Sequence, residues 1–462
     1  MSRRIYVTAA IPYVNGAPHL GHALELVQAD VVARRLRARG DAVRFLTGTD
    51  ENAIKNVLAA EAAGVGVAEL VERNSRRFAE LQSALRVSDD DFIRTSADPR
   101  HRPGVERLWR ACAAAGDLYE REYEGLYCAG CESFVDGPCG EHAAPPERVV
   151  ERNWFFRLSR YRDDLLTLVE RGALRIEPAR RRNEVLSLLR AGLDDVSVSR
   201  PAARARGWGI PVPDDPSQVV YIWFDALANY VTALEYGTDG ELYHTWWREA
   251  DERLHVIGKG ILRFHAVYWP AFLLSAGEPA PTTIFVHEYV TAGGGKLSKS
   301  TGGGASPLEL VDAFGPDAVR WWLLRDGPAT RDADLTLAGL GVRANELADR
   351  IGNLVARTIA LGGRVDAAAG TPADDAVGPF DFRGAAAAVL AAADRANRLA
   401  TDTRPWTLPA EEAAPVVDDL AKSCSALAAS LRPLLPDAAA RIDAALARSD
   451  RAAARTLFRK VA

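Results

Sequence analysis

Residues 5–40 read IYVTAAIPYVNGAPHLGHALELVQADVVARRLRARG. The β-branched and aromatic run Ile5 to Thr8 predicts a buried strand. Pro12 to Pro18 follows as a turn-rich loop around Asn15-Gly16. From His19 the apolar residues Ala23, Leu26, Val27, Val31 and Leu36 recur at helical spacing, and Gly40 is placed to stop the helix. The run Ala42 to Leu46 then predicts a second strand. Strand, helix and strand over about forty residues make a βαβ unit, the building block of a parallel sheet. His19 and His22 stand three apart at the helix start, on one face, where free amide N–H groups and the helix dipole attract anions. Two imidazole donors there suit a polyphosphate. An H-x-x-H pair at such a junction also serves as cap chemistry or as half a metal site.

A chain of 462 residues allows two to four domains and a large core. With 48% hydrophobic and 26% charged residues it has an ordinary globular composition. No apolar run approaches the roughly twenty residues of a membrane span, and MSRRIYVTAA has no signal-peptide core, so a cytoplasmic protein is expected. Five cysteines in a chain of this kind point away from disulfides. The net charge of −5 neither requires nor excludes a nucleic-acid partner, which would need a local basic surface. Two candidate sets are Arg180–Arg182 with Arg190, Arg200, Arg204 and Arg206, and Arg343, Arg350 and Arg357, although such runs are commonly plain solvated faces.

The second strand leads into Gly48-Thr49-Asp50. A carboxylate at the carboxyl end of a parallel strand sits where open α/β sheets bind ligands, so Asp50 is a candidate partner for a cationic group, or else a helix cap. Residues 52–115 read as helices broken near Gly64 and at Ser88–Asp91. In GLYCAGCESFVDGPCGEH, Cys128 and Cys131 form C-x₂-C, and Cys139 and His142 form C-x₂-H. Three thiolates and one imidazole fit tetrahedral Zn²⁺, and a full set of four protein ligands makes it structural. Cys112 and Cys424 are isolated and read as core. The apolar run Val219 to Phe224 predicts a strand with a helix from Asp225, and Trp223, Ala226 and Tyr230 could line a small apolar pocket or be core. Another strand–turn–helix follows around Gly258-Lys259-Gly260, as if one α/β domain resumed after the zinc-bearing insert. In TAGGGKLSKSTGGG, Lys296 and Lys299 sit between glycine triplets. This is not a Walker A loop, since Leu297 follows Lys296, but a glycine-hinged loop with two ammonium groups can close over a phosphate. From about residue 336 the chain is helical and alanine-rich, with Pro405-Trp406 in a break and Ala376–Asp381 and Pro409–Ala414 expected as loops.

The pairing of H-L-G-H after the first strand with K-L-S-K-S resembles the signatures of class I aminoacyl-tRNA synthetases, and within them the methionyl-tRNA synthetase family. The likeness extends through FLTGTDE, DDFIRT, EGLYCAGCE, DVSVSRP, WGIPVP, YIWFDALANY, IGKGILRFHAVYWPA, RIGNLVART and RPW, over nearly all of the chain. It implies a Rossmann-type parallel sheet (1–116 and 201–275) interrupted by a zinc-bearing connective insert (117–200). A lysine-loop linking domain (276–335) and an α-helical anticodon-binding bundle (336–462) would follow. It implies that His19, His22, Gly258, Lys296 and Lys299 bind ATP with its Mg²⁺, the two histidines and two lysines being catalytic. Asp50 would take the substrate ammonium. Ile11, Tyr13, Trp223, Ala226, Tyr230, Ile261 and His265 would build a methionine pocket, and Asn353, Arg357 and Trp406 would read the anticodon of tRNA(Met). Activation at the α-phosphate needs positioning and charge neutralisation, which fits imidazoles, lysines and glycines with no nucleophilic serine or cysteine.

Four positions depart from the family pattern. Gly260 stands where an acidic residue follows Gly-Lys, Asn52-Ala53 where His-Gly follows Asp-Glu, Leu297 where the lysine loop carries methionine, and Gly303 where the loop carries asparagine. The resemblance implies a methionine–tRNA ligase, expected as a monomer because no dimerisation appendix follows the bundle. A paralogue serving inhibitor resistance or a specialised pathway, and a non-catalytic tRNA-binding relative, are the competing readings. Retention of both histidines and both lysines opposes the last.

Overall fold

The computed structural model describes residues 2–128, 133–135, 137–138, 145–292, 295–296, 306–365 and 378–461. It divides into two compact units: Met1–Ala17, Gly40–Ala79 and Asp89–His287 form the first, and Pro18–Arg39, Glu80–Ser88 and Glu288–Ala462 the second.

The first unit is built on a six-stranded, all-parallel sheet. Its order is Asp91–Arg94, Ala42–Thr49, Arg4–Ala9, Glu252–Gly258, Thr283–His287, Arg175–Glu177. The first strand is buried from Ile5 to Ala9, as a strand covered on both faces must be. It pairs on one side with Val43 and on the other with Glu252, both opposite Ile5, so strands distant in sequence close one sheet. An aromatic core of Tyr6, Trp109, Phe156, Phe224, Trp247, Trp269 and Phe272 fills the unit. Beside it lies a four-stranded sheet ordered Ser133–Val135, Leu118–Cys128, Glu147–Phe156, Val196–Ser197. The insert expected over 117–200 also returns one strand, Arg175–Glu177, to the parent sheet beside Thr283–His287.

Three local expectations are corrected. Asp91–Arg94 is a strand inside a stretch read as helical; four residues are too few to show a period. The apolar run at 219–224 is divided, with the strand Asp215–Val220 ending before the helix Ile222–Thr232. Both pieces are buried, so hydrophobicity alone could not find the junction. Pro409–Ala414 is not a loop: Pro409 is the N-cap of the helix Ala410–Leu431, where its missing N–H costs no helix bond and its carbonyl accepts from the amides of Glu412 and Ala413.

The second unit holds the helix Leu20–Ala38, a small sheet of Gly295–Lys296, Val290–Ala292 and Ala333–Asp334, and a run of helices. Ala410–Leu431 packs against both Phe382–Thr403 and Pro436–Arg448. Asp30 and Arg320, both fully buried, meet at 2.7 Å. Burial opposes ionisation of Asp30, but Arg320, Arg34 and Ser88 outweigh it and hold the carboxyl below its ordinary value. The Arg320 guanidinium also donates to the carbonyls of Leu434 (2.7 Å) and Leu85 (2.9 Å). It thereby ties the helix that begins at His19 to the turn before Pro436–Arg448. Among the described residues no helix is long and apolar enough to cross a membrane.

Candidate active site at the carboxyl ends of the parallel strands

The strand order reverses at Arg4–Ala9, which has Ala42–Thr49 on one side and Glu252–Gly258 on the other. In open parallel sheets the crevice beyond such a switch point binds ligands. The three carboxyl ends deliver Ile11, Asp50 and the Gly258–Ile261 turn there. Asp50 is no helix cap: Ala53 occupies that position before Ile54–Ala63. Instead Asp50 bridges Tyr13 in parallel, and its amide donates to the Pro12 carbonyl (2.9 Å). Its neighbour Glu51 fixes the loop. The Glu51 carboxylate is fully buried, pairs with Arg94 Nε at 2.7 Å, and accepts from the hydroxyls of Thr49, Ser75 and Ser96. The Glu51 carbonyl accepts from Trp208 Nε1 and Asn56 Nδ2, each at 2.8 Å. The carboxylate of Asp50 is thus carried on a loop fixed through its neighbour Glu51.

Trp223, Ala226 and Tyr230 lie three and four apart on the helix Ile222–Thr232, one face of it. Trp223 stacks on Phe264 at 3.8 Å and meets Tyr13 and His265 edge-on at 6.4 Å. Ile11, Trp223 and Ile261 are partly buried and pack on the main core, while Ala226, Tyr230 and His265 are buried. His265 lies on a single π-turn, Phe264–Tyr268, a distortion often found at functional sites. Its Nδ1 is 2.9 Å from the Ile261 carbonyl, which only accepts, so Nδ1 carries the proton. The Tyr230 hydroxyl then donates to Nε2 at 2.7 Å. His255 behind it is fixed in the same tautomer: Trp269 Nε1 donates to its Nε2 (3.2 Å), and its Nδ1 donates to Thr8 (2.7 Å). Burial pushes the His265 imidazole down to about 4 and His255 well below its ordinary value, so both stay neutral. The result is an uncharged, mostly aromatic cluster with one hydroxyl, joined to the Asp50 loop through Tyr13.

His19 and His22 belong to the second unit. Their rings stack at 3.7 Å. His19 Nδ1 accepts from the Gly21 amide and His22 Nδ1 from the His19 amide, each at 3.1 Å. Backbone amides only donate, so the proton of each ring sits on Nε2. The pair is a cap, as the sequence allowed, and the capping is what sets both rings with an Nε2 donor. A Cβ at position 21 would lie 2.9 Å from His19 Cε1, so a larger residue there would have to move the His19 ring from this cap position.

Asn353 opens the helix Asn353–Ala360 just after a second π-turn, Ala348–Gly352. Arg357 donates to Asn397 Oδ1 (2.7 Å), and its guanidinium carbon lies 6.0 Å from the Trp406 ring centroid. Trp406, on the turn Pro405–Thr407, is 50% exposed. Neither candidate basic set is an open positive face. Arg181, Arg190, Arg204 and Arg206 pair with glutamates, Arg200 is buried, and Arg343 and Arg350 pair with Asp326, Glu346 and Asp394.

Lys299, Cys131, Cys139 and His142 lie outside the described residues, and Lys296 is described only as part of a short strand. Cys128 is buried at the end of Leu118–Cys128, opposite Ser133 across an antiparallel pair. Among the described residues no group of three His, Cys, Asp or Glu could hold a metal. Burial pushes the Cys112 and Cys424 thiols up to about 12, which removes them as nucleophiles.

The family model described as tRNA synthetases class I (M) matches residues 5–145 and 135–359. The methionine–tRNA ligase of Mycobacterium tuberculosis (strain CDC 1551 / Oshkosh) is 44% identical over 406 residues, 84% of this chain and 75% of that protein. The chain belongs to the methionyl-tRNA synthetase family of class I. The family's methionine–tRNA ligase from Rhizobium meliloti (strain 1021) is 39% identical over 474 residues, covering 95% of this chain and 90% of that one. The structure of the M. tuberculosis methionyl-tRNA synthetase in complex with methionyl-adenylate aligns with a TM-score of 0.87. It is 38% identical, over 95% of this chain and 93% of that chain. Within this synthetase, residues the motifs did not single out are Glu51, Arg94, His101 and Asp225. Each stood inside a quoted stretch or at a helix start, and only their pairing across the fold gives them a role.

Proposed function

We propose that the chain is a methionine–tRNA ligase. A carboxylate oxygen of methionine attacks the α-phosphorus of ATP, the bond to the bridging oxygen breaks, and pyrophosphate leaves. A hydroxyl of the 3′-terminal ribose of tRNA(Met) then attacks the methionyl carbonyl, and AMP leaves. One observation carries this reading: the neutral Tyr230–His265 pair and Trp223 form one aromatic cluster, which reaches the Asp50 loop through Tyr13 at the sheet's switch point. An uncharged wall favours a thioether side chain, and Asp50 offers the charge for its ammonium. His19, His22, Gly258, Lys296 and Lys299 are assigned to ATP, whose Mg²⁺ would neutralise phosphate charge. Neutral Nε2 donors on stacked rings at a helix N-terminus suit phosphate oxygens. Asn353, Arg357 and Trp406 are assigned to the anticodon, since a half-exposed indole beside a guanidinium is a stacking platform with donors.

A structural Zn²⁺ held by Cys128, Cys131, Cys139 and His142, a cytoplasmic location and a monomeric state belong to the same proposal. Methionine-dependent ATP–pyrophosphate exchange followed by charging of tRNA(Met) tests the function. Exchange that does not respond to methionine overturns it. Exchange without charging of elongator or initiator tRNA points instead to a specialised paralogue. About one zinc per chain is expected on metal analysis, lost in Cys128→Ser, and zinc-free wild-type protein refutes the metal assignment.

A further inference from the structure

We infer that Asn52 and Asp225 are positioning residues that set the affinity for the amino acid, an inference resting on the methionine-activation reading. Asn52 follows the Asp50-Glu51 pair, and its Nδ2 donates to Asp225 Oδ2 at 2.8 Å and to the Thr95 carbonyl at 3.3 Å. Asp225 lies in the first turn of Ile222–Thr232, the helix that carries Trp223, Ala226 and Tyr230. Its other oxygen is 2.5 Å from His101 Nε2, and His101 Nδ1 is 2.8 Å from the Thr232 hydroxyl at the end of the same helix. Asp225, His101 and Thr232 are all buried. The chain of bonds therefore runs from the Asp50 loop, through the start of the pocket helix, to its end.

Helix geometry says what this chain controls. At about 100° per residue, Trp223, Ala226 and Tyr230 share one face, and Asp225 and Thr232 share another, turned from it by roughly 140°. The first face lines the pocket; the second is gripped by His101 and Asn52. Gripping one face at both ends fixes the rotation of the helix about its axis, and with it the direction in which Trp223 and Tyr230 point. The close approach is built in. A Cβ at Gly104 would lie 2.4 Å from Thr232 Cγ2, so the His101 helix reaches Thr232 only because residue 104 is glycine. Through Asn52 the same carboxylate registers the pocket face against the loop that carries Asp50. The ammonium site and the side-chain site are thus held at a set separation, which a free amino acid must match at both ends. Neither contact involves a residue assigned to ATP.

Initial-rate ATP–pyrophosphate exchange with the full chain, varying methionine and ATP separately, tests the inference. Asn52→Ala is expected to raise the KM for methionine about tenfold, the scale of one hydrogen bond to a charged group. The KM for ATP should stay within about twofold. Asn52→His, which restores a donor to Asp225, should return the methionine KM to within about threefold of wild type. Asp225→Asn should behave like Asn52→Ala, and the double variant should be no worse than the worse single one, because both break the same link. If Asp225→Asn does not fold, Asn52→Ala and Asn52→His still decide the matter, since Asn52 is only partly buried. An unchanged methionine KM in Asn52→Ala, or equal losses for methionine and ATP together with lowered thermal stability, overturns the positioning role. Wild-type chain without methionine-dependent exchange overturns the activation reading and this inference with it.

Discussion

Acidification should weaken the pocket through His265 long before that ring is protonated in the folded protein. Burial, against the opposing help of the Ile261 carbonyl, lowers its pKa from 6.5 to about 4. Above pH 6.5 the ring is neutral both folded and unfolded, so it adds no pH dependence. Between 6.5 and 4 the unfolded chain binds a proton that the folded chain refuses. Stability therefore falls by about 1.4 kcal/mol per pH unit in that window. The loss from pH 7 to pH 5 is about 2 kcal/mol, and over the whole window about 3 kcal/mol. His255 is depressed by burial too and acts in the same direction, so the wild-type protein alone does not isolate His265. His265→Gln removes this titration while keeping a donor for Ile261 and an acceptor for Tyr230. Urea unfolding followed by tryptophan fluorescence at pH 7 and pH 5 should show a loss about 2 kcal/mol smaller in the variant. An NMR titration of the ring should show it neutral at pH 5. Equal pH dependence in both proteins, or a ring titrating near 6.5, refutes the buried neutral pair and with it the uncharged pocket wall.

Gly21→Ala puts a Cβ 2.9 Å from His19 Cε1, so it should displace the cap and lower the exchange rate about tenfold with little change in methionine KM; a normal rate would mean the cap geometry is not used. Lys299→Ala should lower kcat for adenylate formation on the order of 10²–10³, the scale of one charge-stabilising donor, while methionine binding measured by fluorescence stays near wild type. Trp406→Ala should cut tRNA charging about ten- to a hundredfold through lost base stacking and leave exchange unchanged; exchange and thermal stability falling together would make Trp406 a packing residue.

What could be read in the sequence was what is local. The strand Arg4–Ala9 shows as a short apolar run closed by a turn, and His19 and His22 show as a cap pair because capping is decided within three residues. The pocket list came from the family resemblance, and the helical spacing of Trp223, Ala226 and Tyr230 was hidden because Trp223 fell in a run read as a strand, whereas it lies in the helix Ile222–Thr232. The strand Asp91–Arg94 was hidden because its identity comes from pairing with Ala42–Thr49, not from its own four residues. Glu51 and Arg94 stood forty-three positions apart and His101 and Asp225 one hundred and twenty-four, so nothing local linked them. The arginine sets were left between a basic surface and a plain solvated face, and the folded chain matches most of their guanidiniums with carboxylates.

The buried charges have a common logic. Taking Glu51 and Arg94, or Asp30 and Arg320, out of water costs several kcal/mol per ion before their attraction offsets it, and an apolar pair of equal volume is often no less stable. Stability therefore does not account for them. Each, however, lies on the same element as a residue assigned to chemistry. Glu51 adjoins Asp50 on the same loop, and Asp30 lies on the helix that His19 and His22 cap. An apolar contact tolerates a slide of a few tenths of an ångström with little penalty. A carboxylate locked by a guanidinium and hydroxyls does not, because each displaced bond leaves a buried charge poorly matched. Adenylate formation is governed by the position of groups rather than by a reactive side chain. In each unit the costly, directional contacts hold the element that carries the assigned residue, while the soft apolar ones fill the core.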